Sequence, residues 1–206
     1  MRQPVFNNMP AGVLILAGPI ILAALLPWIS PALNEWLFEA SVLVMTGPGE
    51  PAPPQPLGPL APYLLHILIH FGLLHLVLNL TIILSAGRLV AARFGTDGRG
   101  TLGFVLFFLA CSACGALAET VFHQGGMMVM GGASTGASGL IAAIGWISAG
   151  WRGLIRFALP WIGFNLLIGL TGFAMPIQIG WIAHIGGTLA GAALLPAFLV
   201  LFGGRR

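Results

Sequence analysis

FALPWIGFNLLIGLTGFAMPIQIGWIAHIGGTLAGAALLPAFLVLFGG, from Phe157 to Gly204, contains no charged side chain. An α-helix rises about 1.5 Å per residue, so one helix of this length would be more than twice the roughly 30 Å hydrocarbon core of a bilayer. The stretch therefore reads as two crossings, divided around Met175 to Gly180. Applied upstream, the same ruler gives four more apolar blocks. They run from Ala11 to Asn34, from Pro62 to Gly87, between Arg99 and Glu119, and from the Gly-rich segment Gly125 to Gly136 as far as Trp151.

Composition agrees with six crossings. Of the 206 residues, 58% are hydrophobic and 6% charged, and the mean hydropathy is +0.99. A soluble domain carries about a quarter of its residues as charges, so water cannot be the solvent for most of this chain. The reading is an all-α polytopic membrane protein, a six-helix bundle, with residues 1–206 as one membrane domain. No internal repeat and no soluble domain stand out.

A net charge of +3 does not point to nucleic acid, because the basic residues are all arginines and form no patch. Their placement suits topology instead. With the N-terminus inside, Arg2, Arg88, Arg93, Arg99, Arg152, Arg156, Arg205 and Arg206 all fall on the cytoplasmic side. Glu35, Glu39, Glu50 and Glu119 fall outside, and Asp97 joins the arginines. The proline-rich run Gly47 to Pro62 reads as an outer loop, preceded by a short interfacial helix over Asn34 to Val44. Cys111 and Cys114 read as small packing residues.

In lipid each strongly polar side chain costs free energy and needs a reason. Block two carries His66, His70, His75 and Asn79, block four opens with Ser134, Thr135 and Ser138, block five holds Asn165 and block six His184. His75 and Asn79 are spaced to share a helix face, and His66 with His70 form a second such pair turned away from it. Blocks two, four and six run in the same direction, so their early residues share a depth near the outer side. Ser138 lies between small residues in Gly136-Ala137-Ser138-Gly139, and Gly187 with Gly191 make a stripe for close helix packing. If that stripe packs on block four, His184 approaches Ser138. A serine, a histidine and an amide at one depth meet the needs of acyl transfer. With no acidic residue at that depth, they form a dyad and not a triad. Ser134, Thr135, Ser138 and the histidines would line a cavity that admits water from the outer face.

Three motifs in order resemble the rhomboid proteases over blocks two to six. They are His70-Phe71-Gly72-Leu73-Leu74-His75-Leu76-Val77-Leu78-Asn79, Gly136-Ala137-Ser138-Gly139, and Ala183-His184-Ile185-Gly186-Gly187 followed by Gly191. The resemblance implies an intramembrane serine endopeptidase with Ser138 as nucleophile and His184 as general base. It implies an oxyanion hole from His75, Asn79 and the Ser138 N–H, with His70, Gly136 and Gly139 in support. The expected partners are transmembrane protein substrates and the lipid bilayer, with no nucleic acid, no metal and no cofactor. The size is similar to the minimal bacterial form, which implies a bacterial inner membrane. Two places depart from the family pattern. Ala142 stands where an aromatic residue often stacks on the catalytic histidine, and Ala61-Pro62 replaces a Trp-Arg pair in the first outer loop.

Two other classes of function fit parts of the chain. A rhomboid-like pseudoprotease would hold client helices without cutting them. A haem-bearing electron carrier would use the membrane histidines as axial ligands but leave the serine motif without a purpose.

Overall fold

The structure, a computed structural model, describes residues 9–47, 49–123, 125–171 and 179–204. Arg2, Pro48, Arg205, Arg206 and most of the expected Met175 to Gly180 division lie outside the described residues.

Among the described residues, seven α-helices carry the architecture. They are α1 (Ala11–Ile29), α2 (Pro31–Ser41), α3 (Pro62–Leu65), α4 (Leu73–Phe94), α5 (Gly98–Phe122), α6 (Ser134–Thr171) and α7 (Trp181–Phe202). Five of them, α1, α4, α5, α6 and α7, are long and apolar enough to cross a membrane. α6 is broken at Ala149 and Gly150, where φ is −154° and +56°. Glycine alone takes the second conformation without strain. The arm 151–171 folds back on the arm 134–148, so α6 supplies two passes and the bundle has six. Gly145 and Gly153 face each other across the fold with no room for a Cβ on either.

The bundle is apolar on both sides of its wall. Phe94, Phe104, Phe107, Phe108, Ile83, Leu140 and Leu195 pack inside, while Leu14, Leu22, Leu78, Leu167 and Val200 are exposed on the outside. Water would reject such an exterior, and lipid tails accept it. α7 lies against both α5 and α6 through glycines. A Cβ on Gly187 would strike the Thr135 carbonyl, one on Gly191 the Gly139 carbonyl, and one on Gly186 the Ala118 side chain. The expected packing of the Gly187 and Gly191 stripe on block four is therefore present.

Helix ends explain much of the rest. Ser30 caps α2 by accepting from the Leu33 N–H at 3.4 Å, with Pro31 in the first turn. Trp36 and Phe38 are exposed on this short helix, as expected of an interfacial segment. Asp97 caps α5 by accepting from the Gly100 N–H at 2.9 Å, and Arg99 donates from Nε to the Leu201 carbonyl at the far end of α7. Arg88, Arg93, Arg99, Arg152 and Arg156 gather at this end of the bundle.

Two expectations need correction. Block two is not one helix from Pro62. α3 passes into a 3₁₀ turn, His66–Leu68, and the chain then bends, with Gly72 at φ +121°, before α4 begins at Leu73. His66 and His70 accordingly share no helix face. The outer segments are also not purely loop: Leu43–Met45 (β1) pairs antiparallel with Met128–Met130 (β2), Val44 opposite Val129. This ladder lies just ahead of the turn that starts α6. Cys111 is buried and Cys114 exposed, both as free thiols.

Candidate active site

α6 begins immediately after Gly131-Gly132-Ala133. Gly132 has φ +123°, and a Cβ there would lie 2.6 Å from Cε1 and Nε2 of His75. Only glycine fits this turn, for conformation and for space. Its N–H donates to the His66 carbonyl at 2.8 Å, and one residue into α6 the Thr135 hydroxyl meets His66 Nε2 at 3.0 Å. His66 Nδ1 reaches the Pro62 carbonyl at 2.9 Å. His66, fully buried, thus bolts the segment before α4 to the start of α6.

Ser134 is the first residue of α6, and its Oγ lies 2.8 Å from His184 Nε2. The other ring nitrogen of His184 lies 2.7 Å from Asn165 Oδ1. Trp161, from the same arm as Asn165, stacks on the imidazole with centroids 5.9 Å apart and planes at 30°. The first N–H groups of a helix have no intrahelical acceptor, so the turn at Ser134 presents free donors.

Facing this turn is α4. Asn79 is buried and donates one amide hydrogen to the His75 carbonyl at 2.9 Å, which leaves its second hydrogen for the cavity. His75 Nδ1 accepts from the Phe71 N–H at 3.4 Å, so Nε2 carries the proton and faces the Gly132 turn. Phe71 stacks against the same ring at 17°. His70 lies behind, its ring centroid 4.9 Å from that of His75. Ser134, His75, Asn79, His184, Asn165 and Trp161 line one cavity of about 330 Å³, and most of the remaining wall is apolar, with groups such as Met128 and Phe164.

The start of α7 is held from α5. Glu119, buried near the end of that helix, accepts from the Ala183 N–H at 2.7 Å. The carboxylate therefore caps the turn that carries His184.

His75, Asn79 and His184 thus come together, but Ser138 does not join them. It lies one helical turn beyond Ser134, about 6 Å along the axis. Its hydroxyl donates to the Ser134 carbonyl at 2.7 Å and accepts from Trp161 Nε1 at 3.0 Å, with no exposed surface. The expected meeting of Ser138 with His184 is replaced by a meeting of Ser134 with His184. Gly136 and Gly139 serve packing: the first faces Phe108 and Ser112, the second Cys111. With Ser134 in the pairing, the position four residues on is Ser138 and not Ala142. The aromatic ring against the histidine comes from Trp161, which Ser138 holds. The sequence does contain a signal for this. Gly-Ala-Ser occurs twice, at 132–134 and 136–138, and only the first copy follows a glycine turn at a helix start.

A family model for the Rhomboid domain matches residues 58–200. The matched region takes in α3 to the last turn of α7 and leaves α1, α2 and β1 ahead of it. Among curated proteins, none matches the chain.

Proposed function

Because the chain belongs to the rhomboid family and is an integral, multi-pass membrane protein, we propose that it is an intramembrane serine endopeptidase whose nucleophile is Ser134 and whose general base is His184. The observation that carries this reading is the 2.8 Å contact between Ser134 Oγ and His184 Nε2 in the cavity that also holds His75 and Asn79.

The chemistry follows from the geometry. His184 Nε2 takes the Ser134 proton as Oγ attacks the scissile carbonyl carbon. The oxyanion receives donors from the Asn79 amide, His75 Nε2 and the backbone N–H of Ser134, in a site of low dielectric where preset donors count most. The imidazolium then gives its proton to the leaving amine, and the acyl group remains on Ser134. Water entering the cavity, deprotonated by His184, attacks the ester and frees the acid.

Substrates are transmembrane segments of other proteins. A helix in lipid hides its peptide bonds, so a segment with glycine or another helix breaker near the cut unwinds at least cost. The arginine end of the bundle faces the cytoplasm, in a bacterial inner membrane, with both termini inside, and the cavity opens toward the other face.

The test is a cleavage assay in lipid with a panel of single-span substrates, comparing wild type with Ser134→Ala and His184→Ala. Cleavage by wild type and its loss in both variants supports the reading. Cleavage by Ser134→Ala at the wild-type rate overturns it.

A further inference from the structure

We infer that Asn165 is a positioning residue that fixes the tautomer of His184, completing a Ser134-His184-Asn165 series with a neutral amide in the place a carboxylate holds in a Ser-His-Asp triad. The inference rests on the function proposed above and deepens it.

Asn165 is fully buried on the second arm of α6. One end of its amide lies 2.8 Å from the Trp161 carbonyl. A carbonyl oxygen only accepts, so the group facing it is the NH₂, and Oδ1 is turned to His184 Nδ1 at 2.7 Å. Oδ1 also only accepts, so Nδ1 carries the hydrogen. A neutral imidazole has one such hydrogen, and Nε2 is therefore a lone pair aimed at the Ser134 hydroxyl. Each step leaves the next group one choice. In the opposite tautomer a buried Asn165 oxygen would face the Nδ1 lone pair, and Ser134 would have no base.

Trp161 adds the second constraint. Its indole packs over the His184 ring while its Nε1–H is held by Ser138. The hydrogen bond that His184 Nδ1–H donates to Asn165 Oδ1 sets the ring's rotation in plane, and the stack sets its tilt.

A neutral amide differs from a carboxylate in one measurable way. It orients the imidazole without stabilising the imidazolium by charge, so the base loses its proton at lower pH than it would beside an aspartate.

A fluorophosphonate probe, which needs no natural substrate, reads this on the full-length protein in lipid. The rate of Ser134 modification is measured against pH and probe concentration for wild type, Asn165→Leu and Asn165→Asp. Asn165→Leu is expected to lower the limiting rate by about 10²-fold, the lower end of a general-base contribution, with the half-saturating probe concentration little changed. Asn165→Asp keeps an acceptor toward Nδ1 but turns its second oxygen to the Trp161 carbonyl in place of the NH₂, and with the carboxylate ionised its acid limb should move up by about one pH unit. ¹⁵N spectra of the histidines should show a single Nδ1-protonated form of His184 in wild type and a mixture in Asn165→Leu. A folded Asn165→Leu variant that is labelled at the wild-type limiting rate and keeps a single Nδ1-protonated His184 overturns the inference. So does a wild-type His184 protonated at Nε2. Failure of the probe to modify wild-type Ser134, with the Nδ1-protonated form still observed, would instead defeat the proposed function and leave the hydrogen-bond order standing.

Discussion

Ser134 and Ser138 stand one turn apart on the same helix, and only Ser134 reaches His184; the Ser138 hydroxyl is spent on the Ser134 carbonyl and the Trp161 indole. The two serines therefore make opposite predictions. Ser134→Ala should abolish peptide cleavage and fluorophosphonate labelling, a loss of at least about 10³-fold. Ser138→Ala removes only a support of Trp161 and should cost less than about tenfold. Peptide mapping of the labelled wild type should find the adduct on Ser134. An adduct on Ser138 would refute the assignment.

Asn79 offers its free amide hydrogen to the cavity opposite the Ser134 turn. Asn79→Ala should lower kcat by about 10²- to 10³-fold with KM little changed, as for loss of one oxyanion donor. Steady-state kinetics on a model transmembrane substrate separate the two constants. A rise in KM at constant kcat would place Asn79 in substrate binding instead.

Gly132 combines a left-handed conformation with close approach to His75. Gly132→Ala should destabilise the fold by about 1–3 kcal/mol and displace His75. Thermal unfolding in detergent reads the first effect and the labelling rate the second. An unchanged midpoint would show that the turn relaxes freely.

Glu119 accepts from a buried N–H at the start of α7. Glu119→Ala orphans that donor and should cost about 1–3 kcal/mol of stability. Glu119→Gln retains an acceptor oxygen and should cost less. Equal losses in the two variants would mean that the charge, and not the cap, carries the effect.

Hydropathy and the arginines are enough to read six crossings, because both depend on the solvent and not on side-chain detail. The break at Gly72 escapes that reading, since a bend of four residues leaves local hydropathy unchanged. The β1–β2 ladder escapes it too, because three-residue strands have no period to detect. His75, Asn79 and His184 are legible as one cluster because lipid penalises each of them and their helices run in parallel. Ser134 is harder to distinguish from Ser138. The duplicated Gly-Ala-Ser places two hydroxyls about 6 Å apart in depth, a difference that counting residues from the inner arginines does not resolve. Asn165 carries the same penalty as the other polar groups. Its role, however, depends on which end of the amide the Trp161 carbonyl selects, and that is a fact of three dimensions.

The reversal at Ala149 and Gly150 places Ser134, Trp161 and Asn165 on one uninterrupted length of chain. An inserted or deleted residue rotates everything beyond it in a helix by about 100°. A single alanine added between Gly150 and Trp161 would therefore swing the indole and the amide out toward the lipid while leaving both arms fully helical. The described residues between β1 and α3 are not helical, so a change of length there rotates none of these side chains. Heritable variation in this protein should accordingly be written as substitutions within the hairpin and as gaps outside it.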